Sequence, residues 1–154
     1  PVNSYDKKGG IAMKARDVMT QKVITVSSDL SIRKLIQLLI TERISGVPVV
    51  DDAGEVVGII SERDILKAVD RLIKVKVSLD EEREQKGSFN WVDGIMTKEV
   101  IFVSEDDPVE HVCKLMSERK IHRVPVMNGK KIVGIITSMD VLKTVATSGL
   151  KKDN

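Results

Sequence analysis

The stretch Ile121-His122-Arg123-Val124-Pro125-Val126-Met127 is followed by Asn128-Gly129 and then by Gly134-Ile135-Ile136-Thr137-Ser138-Met139-Asp140-Val141-Leu142. Two short apolar runs flank a turn signal, and the whole arrangement occurs twice. Its first copy is Ile44-Ser45-Gly46-Val47-Pro48-Val49-Val50 with Gly58-Ile59-Ile60-Ser61-Glu62-Arg63-Asp64-Ile65-Leu66. From Pro48 to Pro125 is 77 positions and from Asp64 to Asp140 is 76, so one residue is lost between the blocks. The loss falls where one copy reads DDAGEVV and the other NGKKIV, in a turn, which tolerates it as a strand does not. Upstream, Val18-Met19-Thr20 recurs as Ile95-Met96-Thr97, again 77 positions on. A repeat of this length sets the whole fold and is read before anything else.

Each copy changes pattern in the same order. A short strand is expected over Val23 to Val26 and over Val100 to Val103. Asp29 and Asp106 are expected N-caps of helices whose apolar stripes are Ile32, Leu35, Ile36 and Leu39 in one copy and Val109, Val112, Leu115 and Met116 in the other. Pro108 suits a first helical turn. The runs Val47 to Val50 and Val56 to Ile60, and Val124 to Met127 and Ile132 to Ile136, read as hairpins. A second helix starts at Ser61 or Thr137, with Ile65, Leu66, Val69, Leu72 and Ile73, or Val141, Leu142 and Val145, on its apolar side. Each copy is therefore β-α-β-β-α, in an α+β fold. The boundaries are a lead over 1–15, a first repeat over 16–77, a polar linker over 78–90, a second repeat over 91–147 and a tail over 148–154. One unit of about 60 residues is marginal alone, so two are expected to pack sheet to sheet into one stable body.

Composition limits what such a body can do. With 25 Lys+Arg against 23 Asp+Glu the net charge is only +2, and aromatics make up 3%. That balance favours neither nucleic acid nor an anionic membrane, so an anion site must be built locally from a few residues. No apolar run reaches the length of about 20 residues that spans a bilayer, and PVNSYDKKGG has no apolar signal core. The single Cys113 agrees with a reducing compartment, here read as cytoplasm.

Three blocks in this order, twice over, identify the family: the sequence resembles the tandem pair of cystathionine β-synthase-type (CBS) domains, the Bateman module, over residues from about 16 to 146. The resemblance implies a regulatory module that catalyses nothing, whose two repeats pack about a pseudo-twofold axis and hold an adenine nucleotide, AMP, ADP, ATP or S-adenosylmethionine, in the clefts between them. It assigns Asp64 and Asp140 to the ribose hydroxyls. Ser61 and Thr137 begin helices, where unsatisfied N–H groups and the dipole favour a phosphate. Arg63, His122 and Arg123 supply positive charge, Arg binding phosphate oxygens bidentately. Backbone around Ile44, Ser45, Ile121 and His122 is expected at the adenine edge, with Gly46 and Met139 completing the two rims. Asp64 and Ser61 are expected to work with His122 and Arg123, and Asp140 and Thr137 with Arg63 and Ser45. Many relatives have a glycine four residues before the proline; Ile44 and Ile121 stand there, which implies a narrower pocket floor. The first copy carries Ser45-Gly46 where the second carries His122-Arg123, so the two clefts are expected to differ, the site rich in His122 and Arg123 holding phosphorylated ligands better.

The plainer readings stand beside these. Ser-x-x-Asp and Thr-x-x-Asp are also slightly altered capping boxes. Pro48 and Pro125 suit edge strands, where a missing N–H costs nothing. His111 and Cys113, two apart on a helix, do not face each other and make no metal pair or catalytic couple. Trp91 is expected to anchor the linker to the second repeat. The competing function is a dimerisation scaffold with empty clefts; modules of this kind commonly pair as homodimers, and the regulated protein partner lies in another chain. An enzyme is poorly supported, since no nucleophile with its base and no Gly-rich phosphate loop appears at usable spacing.

Overall fold

The computed structural model describes residues 13–78 and 90–148, the side chains of 72–78 and 148 excepted. Most of the expected lead, nearly all of the linker, the tail beyond Ser148 and the side chains of Leu72 and Ile73 lie outside the described residues. The elements run α1 (Ala15–Val18), β1 (Val26–Ser27), α2 (Ile32–Glu42), β2 (Gly46–Val50), β3 (Val56–Ser61), α3 (Glu62–Ser78), α4 (Val92–Ile95), β4 (Val103–Ser104), α5 (Val109–Arg119), β5 (Arg123–Asn128), β6 (Lys131–Thr137) and α6 (Ser138–Ser148). Two three-stranded sheets result, ordered β1-β2-β3 and β4-β5-β6. In each, the leading strand is parallel to the first hairpin strand and the hairpin is antiparallel.

Both hairpins carry a register shift at the same place, between Val49 and Val50 and between Val126 and Met127. Their turns account for the lost residue. In the first, the Asp51 carboxylate accepts from the N–H groups of Ala53 and Glu55, and Gly54 takes φ 75°. In the second, Asn128 pairs with Lys131 directly and Gly129 takes φ 61°, a conformation that glycine adopts without steric cost.

The helix starts differ from the sequence expectation. Ser31, not Asp29, caps α2, its hydroxyl accepting from the Lys34 N–H at 3.3 Å; Asp29 instead accepts from the Ser27 hydroxyl. Pro108 precedes α5. Asp106 takes the ammonium of Lys14 at 2.7 Å together with the Arg16 guanidinium. Those two cations hold its carboxyl below the ordinary range, the hydrogen bond from Lys14 contributing most. Both helices end on a left-handed residue, Arg43 or Lys120.

Pro48 and Pro125 lie in the central strands β2 and β5, not at an edge, and both are buried. The backbone explains how. Ile59 exchanges both of its hydrogen bonds with Thr97, at 2.9 Å each, so its polar groups point away from β2 and Pro48 opposite it is a non-hydrogen-bonded position. The Pro48 nitrogen then faces the β1 side, where pairing begins only at Val26 opposite Val49. Thr20 and Ile135 repeat this arrangement opposite Pro125.

The compact units cut across the sequence repeats. One comprises the chain up to Val23 together with Ile101 onward; the other is Ile24–Val100. The opening segment of each repeat is thus built into the other unit. Ala15 is fully buried among Val103, Val112, Val124, Val126 and Ile136, and its N–H donates to the Asp107 carbonyl. Val92 is fully buried among Val26, Leu35, Leu39, Val47 and Ile60, and its N–H donates to the Leu30 carbonyl. Thr20 and Thr97 close the otherwise open edges of β6 and β3, which spares each short sheet an exposed edge. Trp91 bridges Ser31 and so ties this segment to the first repeat's sheet and helices, contrary to the expectation; its ring is about half exposed.

Candidate functional site

In the Ile24–Val100 unit the antiparallel register sets Gly46 opposite Ser61, and the Glu62 N–H donates to the Ser45 carbonyl at 2.9 Å. The start of β2 and the start of α3 therefore converge, as a hairpin whose second strand runs into a helix requires. Asp64 reaches back: its Oδ2 accepts from both the N–H and the hydroxyl of Ser61, each at 2.8 Å. That is the capping arrangement, and it fixes the carboxylate at the helix start. Among the described residues Oδ1 has only the Thr97 hydroxyl at 3.5 Å, a weak contact that leaves the oxygen able to accept a stronger one. Arg63 is exposed on the first turn of α3.

The other unit repeats the construction. Arg123 pairs with Thr137, the Ser138 N–H donates to the His122 carbonyl at 2.9 Å, and Asp140 Oδ2 accepts from the N–H and hydroxyl of Thr137 at 2.8 Å each. The Asp140 N–H donates in turn to the Thr137 hydroxyl. His122 and Met139 are exposed, and Arg123 is half-buried. In this rim the first-copy pair Ser45-Gly46 becomes an imidazole and a guanidinium, which raises its capacity for a negatively charged group.

Part of the backbone expected at the adenine edge is already engaged. Ile44 and Ile121 donate to the carbonyls of Leu39 and Met116, and the carbonyls of Ser45 and His122 accept from Glu62 and Ser138. Among the described residues the carbonyls of Ile44 and Ile121 and the N–H of His122 carry no such bond.

Two further residue sets belong to these rims and were not singled out from sequence. Thr97 contributes its hydroxyl to Asp64 across 33 positions of chain; the repeated Met-Thr dipeptide was visible, but its destination was not. Asp64 also borders a hollow of about 200 Å³ with Lys67, Ala68, Arg71, Gly94 and Ile95. Lys67 and Arg71 follow Asp64 along one helix face; the second copy has Lys143 and Thr147 there, one cation fewer. Among the described residues no cluster of three His, Cys, Asp or Glu side chains is placed to hold a metal, and no helix is long and apolar enough to cross a membrane. His111 is exposed and Cys113 packs beside the second unit's core, where burial pushes its thiol pKa up.

The family model for the CBS domain matches residues 15–71 and 92–147. The chain is 37% identical over 127 residues to an L-aspartate semialdehyde sulfurtransferase of Methanocaldococcus jannaschii, covering 82% of this chain and 22% of that enzyme. It is 35% identical over 131 residues to an inosine-5'-monophosphate dehydrogenase of the same organism, covering 84% of this chain and 23% of the enzyme. It thus spans less than a quarter of the length of either. Among solved structures, the CBS domain pair of protein MJ0100, in complex with 5'-methylthioadenosine and S-adenosyl-L-methionine, superposes with a TM-score of 0.75 at 32% identity, over 89% of this chain and 98% of that one. CBSX2 in complex with AMP superposes with a TM-score of 0.73 at 25% identity, over 88% and 98%. The two matched segments contain both carboxylate-bearing rims, and this chain belongs to the CBS-domain family.

Proposed function

We propose that the chain is a regulatory module that binds an adenine nucleotide (AMP, ADP, ATP or S-adenosylmethionine) and performs no chemistry on it. The observation that carries this reading is the pair of carboxylates, Asp64 and Asp140. Each is held by two donors on Oδ2, with Oδ1 left to accept. A fixed acceptor of this kind suits the hydroxyls of a ribose, since its orientation is set before the ligand arrives. Ser61 and Thr137, at helix starts beside Arg63 or beside His122 and Arg123, are the groups for phosphate. The carbonyls of Ile44 and Ile121 suit the adenine amino group, with Gly46 and Met139 bordering the ligand. Support for an adenosine ligand comes from the MJ0100 pair and from CBSX2, whose structures contain one. The activities of the longer enzymes are not carried over with the shared segment. Binding would shift the population of conformations that a regulated protein reads, in the reducing cytoplasm that a free Cys113 suits.

The experiment is thermal shift and calorimetry with AMP, ADP, ATP, S-adenosylmethionine, adenosine and GTP on the intact chain. Selective stabilisation by an adenine compound is expected, because a ligand that binds only the folded form raises its stability. No response to any of the six sinks the sensor reading and leaves the scaffold, which the exposed Ile40, Leu66, Met139 and Leu142 favour.

A further inference from the structure

The hollow beside Asp64 lies between α3 and α4, within the Ile24–Val100 unit, and Lys67, Arg71 and Gly94 are among its walls. Asp64, Lys67 and Arg71 stand at i, i+3 and i+7, on one face of α3. Ser61 and Thr97 engage the carboxylate. Neither the Lys67 ammonium nor the Arg71 guanidinium has a hydrogen-bond or ion-pair partner among the described residues. The carboxylate of Asp93, next to Gly94, is taken by the Lys98 ammonium at 3.1 Å, and Gly94 itself adds no side chain. The equivalent positions of the other unit invert this balance. Asp140 and Lys143 are retained there, but Thr147 replaces Arg71 and Asp17 replaces Gly94, so two cations beside one carboxylate become one cation beside two.

We propose that this hollow is a binding site for a phosphate-class oxyanion, held by Lys67 and Arg71. Two unpaired cations around one small concavity attract a dianion, and the guanidinium fork presents parallel N–H donors to two of its oxygens. With a net charge of +2 over the whole chain, this attraction is local and not a property of the surface at large. Asp64 on the border opposes the anion, yet its Oδ2 already accepts two donors from Ser61 and the two cations outweigh it. At about 200 Å³ the hollow is smaller than the roughly 300–1,000 Å³ of pockets that enclose a whole small molecule, so it takes a phosphate or pyrophosphate group and not a nucleotide. The same chemistry has two sources: a free inorganic anion, or the terminal phosphates of a nucleotide whose ribose is held at Asp64. The inference stands on Lys67, Arg71 and Gly94, none of which is a contact in the adenine-nucleotide reading.

Calorimetric titration of the intact chain with pyrophosphate at fixed ionic strength tests it, with circular dichroism confirming that each variant is folded. Lys67→Ala and Arg71→Ala are each expected to raise the Kd about tenfold, the worth of a hydrogen bond to a charged group. Arg71→Lys, which keeps the charge and loses the fork, is expected to fall between the natural chain and Arg71→Ala. Gly94→Asp, which brings in the carboxylate of the other unit, is expected to remove measurable binding, and Lys143→Ala to change nothing. ATP identifies the source. If ATP displaces pyrophosphate and itself binds about tenfold more weakly to Arg71→Ala while AMP does not, the group is a nucleotide's own; if ATP and pyrophosphate bind together, the anion is free, and both results support the hollow. Absence of pyrophosphate binding overturns the proposal, as does binding indifferent to Arg71→Ala and Gly94→Asp. Binding lost in Arg123→Ala and kept in Arg71→Ala places the anion at the other rim and overturns it too.

Discussion

The two units share a backbone plan and differ in what they present at the rim. Both place a bulged hairpin over a helix pair, bridge the outer strand to a Met-Thr segment from the other repeat, and fix an aspartate with two donors from the residue preceding a helix. Where backbone hydrogen bonds and burial dictate the choice, the copies agree: Val47 with Val124, Ile60 with Ile136, Ala15 with Val92. At the rim and along the first long helix they diverge, Ser45-Gly46 against His122-Arg123 and Ile36 and Ile40 against Cys113 and Ser117. The divergence teaches that duplication preserved the scaffold and freed two rims and two faces to specialise.

The largest expected effects test the shared scaffold. A Cβ added at Gly58 would stand 2.6 Å from Met96 Sδ and 3.1 Å from the Thr97 carbonyl, and one at Gly134 would run into the Met19 side chain. Gly58→Ala and Gly134→Ala are each expected to cost about 2–3 kcal/mol in urea denaturation. A cost at one position only would show that the two Met-Thr bridges are not equivalent.

Arg123→Ala sharpens the difference between the rims. It is expected to weaken AMP or ATP by about 2 kcal/mol, the worth of a hydrogen bond to a charged group, and to leave adenosine nearly unaffected in calorimetry. Equal loss for all three would remove Arg123 from the phosphate.

A smaller effect separates capping from binding. Asp64→Ala is expected to lower stability by about 1 kcal/mol through the lost cap on Ser61 and to abolish ligand binding at that rim, whereas Asp64→Asn keeps an acceptor for the cap. Stability unchanged in the alanine variant would show that the Ser61 bonds contribute nothing net.

The smallest effect is a pH dependence in the unit that carries Asp106. Asp106 has a folded-state pKa below its ordinary value of 3.8, so the unfolded chain binds the proton more readily. Its contribution to stability is present above that ordinary value and lost as pH falls through the lower folded one. The stability difference between the natural chain and Asp106→Asn is expected to vanish in strong acid and to shrink with salt; a difference that persists in acid would mean that the ion cluster with Lys14 and Arg16 is not its source.

Much of this was legible in the residues. The repeat, its one-residue slip, the helical stripes with Leu35, Leu39, Val112 and Met116 buried, and the convergence of Ile44–Pro48 with Ser61–Asp64 all follow from periodicities of two and 3.6 and from turn chemistry, which act over a few positions of chain. The caps were misplaced by two positions because Asp29, Ser31, Asp106 and Pro108 all carry start signals, and packing chose among them. What tertiary structure alone decided was partnership. Met19-Thr20 and Met96-Thr97 are nearly interchangeable as sequence, and so are Gly58 and Gly134, so no local signal tells which bridge closes which sheet. Only non-local burial makes that choice: Ala15 enters the core of one unit and Val92 that of the other, while Pro48 and Pro125 stay in central strands because a distant threonine takes up the hydrogen bonds of the residue opposite.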